Sequence, residues 1–127
     1  MIHKDIESFV NRNIHWLNFI QASHWQTRSY AEHEAFGEHY TKLNELNDRF
    51  VETYQGKRAR ISFSSEFVAN VSNYISPETD EFHRRLQKQK DSIKAISKQV
   101  ESEIDLMSIL EDMLESVNQL KYHLTLK

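Results

Sequence analysis

Residues 24–56 read HWQTRSYAEHEAFGEHYTKLNELNDRFVETYQG, and this stretch decides the fold. Ser29-Tyr30-Ala31-Glu32 has the form of a capping box, in which the serine hydroxyl takes the backbone N–H of Glu32 and the glutamate reaches back to the serine N–H. The spacing predicts a helix that starts there, carries Phe36, Tyr40, Leu43, Phe50 and Tyr54, and stops at Gly56 in a left-handed C-terminal position. Upstream, Ile2, Ile6, Phe9, Trp16 and Ile20 form one apolar seam and Val10, Ile14, Leu17 and His24 a second, which predicts a first helix from Ile2 to about Thr27. Only two or three residues then separate the helices, so they must form an antiparallel hairpin. The two seams make a face wider than one partner helix requires, and a second copy of the chain is expected to cover part of it.

Downstream, the helical stripe is lost from Lys57 to Ser76, where Ser64 or Ser65 is expected to cap a short helix bearing Phe67, Val68, Val71 and Ile75. Ser76-Pro77-Glu78 supplies a cap, a first-position proline and an acid for a third helix whose stripe is Phe82, Leu86, Ile93, Ile96 and Val100. Ser102 and Asp105 mark a restart, and Ile104, Met107, Leu110, Met113, Leu114, Val117, Leu120 and Leu124 define a fourth helix. Two hairpins joined by one long crossover predict an all-α, ferritin-like four-helix bundle, a single domain over residues 1–127 with a short helix in the crossover. Periodicity alone also fits an up-down bundle.

Composition points the same way. The 127 residues include 2 glycines and 1 proline, too few for the turns of a sheet-rich fold. With no cysteine, disulfides, thiolate metal sites and cysteine nucleophiles are excluded. The start, MIHKDIESF, lacks the form of a secretory leader, and no apolar run is long enough for a membrane span, so a cytoplasmic location is expected, with no membrane partner. A net charge of -3 gives no general attraction to nucleic acid. The third helix does carry Arg84, Arg85, Lys88, Lys90, Lys94 and Lys98 against one acid, Asp91, while the fourth carries Glu101, Glu103, Asp105, Glu111, Asp112 and Glu115. The ordinary reading is complementary solvated faces on adjacent helices or subunits, preferred here to a nucleic-acid patch.

The 7 histidines are the one compositional hint of metal chemistry. A carboxylate site inside one bundle calls for Glu-x-x-His on two helices, and no histidine here has a glutamate three positions earlier; Asp80-Glu81-Phe82-His83 comes nearest. The other cluster is His24, His33, Asp48 and Glu52. His33 and Asp48 lie within about 60° on one helix but about 22 Å apart along it, so one ion cannot touch both in one chain. Two copies of the second helix crossing antiparallel near Tyr40 would place His33 of one beside Asp48 and Glu52 of the other, with His24 joining them, in two equivalent sites. Each residue also has an ordinary surface, capping or core reading, and Trp25 beside His24 reads as core. His15, His39, His83 and His123 read as ordinary histidines.

The segment from His24-Trp25 through His33-Glu34-Ala35-Phe36, Tyr40, Leu43, Asp48 and Glu52 to Gly56 resembles the Dps proteins, or miniferritins, including short phage-encoded chains. The resemblance covers about a third of the chain. It implies iron as the metal, with His24, His33, Asp48 and Glu52 as ligands shared between twofold-related subunits. It further implies oxidation of that iron by peroxide or oxygen and a homodimer at least, extending to a larger shell. The pattern departs from the family in a turn three residues shorter between His24 and His33, in lacking a basic N-terminal tail, and in Gly37, where the family has a carboxylate ligand. Gly37→Asp asks whether that missing carboxylate limits the chemistry, which iron oxidation that appears or quickens in the variant would show. The alternative is a ferritin-like helical oligomer without the chemistry, acting as a structural or binding module.

Overall fold

The computed structural model describes residues 2–63 and 70–127. The second helix, α2 (Tyr30–Lys57), begins where the cap places it, with Ser29 extended at φ -99° and ψ 123° and its hydroxyl accepting the Glu32 N–H at 3.2 Å. The reciprocal half of the box is rebuilt. Thr27 Oγ1 accepts the Ser29 N–H and donates to Glu32 Oε1 at 2.7 Å, so a threonine stands between the glutamate and the serine backbone. The first helix, α1 (Ile2–Gln26), precedes it, and α3 (Asp80–Gln99) and α4 (Ile104–His123) follow. Among the described residues there are four helices and no strand.

Three boundaries differ from the sequence reading. Gly56 lies inside α2 with an ordinary negative φ, and the helix runs on to Lys57 because the Arg58 N–H still reaches the Tyr54 carbonyl at 3.0 Å. The third helix begins later than Ser76-Pro77. Ser76 organises a turn by accepting the Glu78 N–H, and Thr79 becomes the cap, its hydroxyl accepting the Phe82 N–H. Residues 70–76 are not helical, so Val71 and Ile75 do not share a helix; Ser64, Ser65, Phe67 and Val68 lie outside the described residues.

Helix α1 packs on α2 and α3, and α4 packs on the same two, so α1 faces α4 and α2 faces α3 across the diagonals of the bundle. End contacts set the directions. His3 Nδ1 meets Tyr54 Oη at 2.7 Å, Gln99 Nε2 donates to Asp5, and Lys57 and Arg58 pair with Asp105 and Glu103, so every packed pair is antiparallel and the diagonal pairs are parallel. The connection between α2 and α3 must therefore return along the bundle, and it does so beside α1. The Ser62 N–H donates to Glu7 near one end, Asn18 donates to the Asn70 carbonyl midway, and Gln26 accepts the Tyr74 N–H at the other. Ile61, Tyr74 and Ile75 pack against the core from this connection. The breadth of the apolar face of α1 is thus used within the chain, by two helices and a strap, and does not by itself call for a second copy.

The core is built around Phe9, Phe36, Phe50, Tyr54 and Phe82, all buried. Two polar networks cross it. Asn13 donates to Asn47 at 2.9 Å and accepts from Gln89 at 2.8 Å, joining α1, α2 and α3. Trp16 Nε1–H donates to His39 Nε2 at 2.9 Å, which leaves His39 Nδ1–H to donate to Ser116 Oγ at 2.9 Å, joining α1, α2 and α4. No helix among the described residues is long and apolar enough to cross a membrane.

Candidate metal centre

The three-residue turn between α1 and α2 brings His24, in the last turn of one helix, against His33, in the first turns of the next. Their rings stack with centroids 3.9 Å apart and planes 14° from parallel. His24 Nδ1 lies 2.7 Å from the His33 carbonyl oxygen, and His33 Nδ1 lies 2.7 Å from the His24 carbonyl oxygen. A carbonyl can only accept, so both rings must carry their hydrogen on Nδ1. In the neutral form both Nε2 atoms then present lone pairs, which is the tautomer that metal ligation through Nε2 needs; donation of the other ring N–H to a carbonyl is its usual support. The His24 carbonyl is also one of the unpartnered C-terminal carbonyls of α1, so His33 caps that helix.

Gly37 makes this stack fit. A Cβ at residue 37 would stand 2.8 Å from His24 Cε1 and 2.9 Å from its Nδ1, closer than packed atoms tolerate. The space where a carboxylate stem would begin is occupied by the imidazole of His24. Gly37→Asp, which would supply the carboxylate missing from the pattern, would displace one candidate ligand in adding another. Sequence reasoning treated Gly37 as a loss. Its signal was the cost of a mid-helix glycine, roughly 1 kcal/mol relative to alanine, which asks for a close approach in return.

The pair lines a shallow groove of about 770 Å³ with Glu34, Gly37, Lys42 and Glu45. Asp48 and Glu52 are not brought to it. They lie further along the unbroken α2, exposed, and Asp48 borders a separate groove with Ile14 and Asn44. Neither takes part in an ion pair among the described residues. Among those residues, no group of three or more ligand-type side chains is gathered closely enough within one chain to hold a metal ion. Trp25, expected in the core, is 69% exposed, and Tyr30 across the turn is 77% exposed. The turn is too short to fold Trp25 inward while His24 faces α2.

His39 stands apart from this site. Both its nitrogens are engaged in the core, and burial pushes its pKa down to about 3, with the Ser116 hydrogen bond opposing in part. It is a core histidine, where the sequence reading names it only as an ordinary one.

A family model described as a family of unknown function, DUF5856, matches residues 24–124, well over half of the chain. The chain belongs to this family. The matched region opens on His24 and contains the imidazole pair, Gly37, Asp48 and Glu52, and it leaves most of α1 outside. No curated protein and no solved structure matches the chain.

Proposed function

We propose that the chain is a metal-binding protein of ferritin-like architecture, similar to the miniferritins, whose site is completed between two copies. The observation that carries this reading is the reciprocally bonded pair His24 and His33, with both Nδ1–H groups committed and both Nε2 lone pairs left for a cation. Diagonal parallel helices with a connection returning along α1 support the ferritin-like assignment. In this reading Asp48 and Glu52 of a second copy complete the shell, and the mixed imidazole and carboxylate set suits iron. Because His24 fills the space above Gly37, the residues fit one ion better than a carboxylate-bridged pair. The protein's part is to orient two imidazoles and hold two exposed carboxylates in a twofold partner. Iron, when bound, would supply the redox chemistry with peroxide or oxygen.

A second reading keeps the scaffold and drops the metal. It is favoured by the self-sufficiency of the clasp, in which stacking and two hydrogen bonds already join α1 to α2. An anaerobic ferrous iron titration, followed by absorbance after addition of peroxide, separates the two. The metal-binding reading expects saturable binding that Asp48→Ala weakens at least tenfold with the helical content unchanged. In heterodimers of His33→Ala with Asp48→Ala, one site collects both lesions and the other none, so half of the sites regain wild-type affinity. No binding leaves the structural module, and binding without complementation, once subunit exchange is verified, rejects the shared site.

A further inference from the structure

The cations of α3 do not find the acids of α4. Glu103 and Asp105 pair with Lys57 and Arg58 of the α2 end, and Glu115 lies 3.9 Å from Lys42. Among the described residues the one ion pair made by an α3 cation is Arg85 with Glu81, within the helix itself. Among the described residues no ion pair joins the α3 cations to the α4 acids, and Arg84, Lys88, Lys94 and Lys98 are exposed. Beside them, a groove of about 800 Å³ runs between α1 and α3, a volume in the range of small-molecule sites.

Three cations, Arg12 from α1 and Arg85 and Lys88 from α3, line it against one carboxylate, Asp91, which Gln87 holds by a 2.9 Å hydrogen bond. Arg85 is positioned from both helices, its guanidinium 5.1 Å from the ring centre of Phe19 in α1 and 3.3 Å from Glu81 in α3. Neither Arg12 nor Lys88 has an ionic partner among the described residues. His15 also lines the groove, and its buried Nε2 has no hydrogen-bond partner among them. Phe19 and Ala95 add apolar wall. A concave, partly apolar surface concentrates the field of such cations and favours an anion carried on an apolar body.

The geometry points to a binding site for a small organic phosphate in the α1–α3 groove, its charge held by Arg12, Arg85 and Lys88. Guanidinium forks suit the several oxygens of a phosphate monoester, and a free inorganic ion would leave the apolar wall uncovered. None of these residues lines the imidazole groove, so the inference is independent of the metal-binding reading.

Phenyl phosphate is the probe, with phenol and inorganic phosphate as its two halves, titrated into the isotope-labelled full chain and followed by backbone amide NMR. The expected result is saturable shifts within residues 11–19 and 85–95. Binding should be at least tenfold tighter than for either half and at least tenfold weaker in Arg12→Gln combined with Lys88→Gln. Both side chains are exposed, so the variant should keep its helical signal. Lys94→Gln, off the groove, should leave the affinity unchanged. The proposal is overturned by shifts that do not saturate or lie elsewhere, by inorganic phosphate binding as tightly as phenyl phosphate, or by equal losses in Lys94→Gln and the double variant.

Discussion

His39 carries the clearest residue-scale consequence. Its ring is sealed among α1, α2 and α4, accepts from Trp16 and donates to Ser116, so the folded state holds it neutral. The unfolded chain takes up a proton at its ordinary value of 6.5, while burial holds the folded value at about 3. Between these values the unfolded state binds more protons, so stability is fully present above pH 6.5 and is lost as the pH falls toward 3. From this residue, the unfolding free energy should be about 2 kcal/mol lower at pH 5 than at pH 8. Urea denaturation of the wild type and of His39→Gln at both pH values checks it. The variant should be the less stable at pH 8 and lose less on acidification. An unchanged pH slope would assign the acid sensitivity to other groups.

At the scale of elements, the junction of α1 and α2 is held by what its short turn permits. Three residues between helices leave no room for a loop to wander, so the last turn of one and the first turns of the other face each other, and His24 and His33 exchange hydrogen bonds across them. Alanine in place of a mid-helix glycine ordinarily adds up to about 1 kcal/mol of helix stability. At Gly37 that gain should be cancelled, because the new methyl would meet the His24 ring and force it off the His33 carbonyl. Gly37→Ala should therefore show no stabilisation on chemical denaturation, and a loss of at least tenfold in iron affinity if the pair binds metal. A chain about 1 kcal/mol more stable, with His24 ring resonances unmoved, would show that the seat is looser than the packing indicates. The helix starts obey local chemistry to differing degrees. Ser29 caps as its box predicts, while Pro77 sits in a turn, buried, and passes the cap to Thr79.

At the scale of the molecule, the Asn13, Asn47 and Gln89 network ties three helices at one level of the core. All three side chains are buried, and a buried amide is satisfied only in the register where its partners meet it. Asn13→Ala leaves Asn47 Oδ1 and Gln89 Nε2 without this partner, and should cost about 2–3 kcal/mol in urea denaturation. Replacing all three amides by leucine should recover much of that loss, because no buried polar group is then left unpaired. If Asn13→Ala costs less than about 0.5 kcal/mol, water or a repacked side chain satisfies the orphans, and the network does not fix the register.

The periodicity of apolar residues, the scarcity of glycine and proline and the Ser29 cap are local facts, and they were enough to establish four helices, the tight first hairpin and most of the core stripe. The adjacency of His24 and His33 was legible as well, because a turn of three residues leaves the flanking helix ends little choice. What each of these residues meets is a non-local matter. That the Gly37 gap is filled by a ring from another helix, that the α3 cations miss the α4 acids, and that a strap covers the broad face of α1 all depend on which faces meet once the helices pack. A helix sequence specifies its own faces through a 3.6-residue repeat, but the partner of each face is chosen by the packing of the whole chain, and only the tertiary structure decided it.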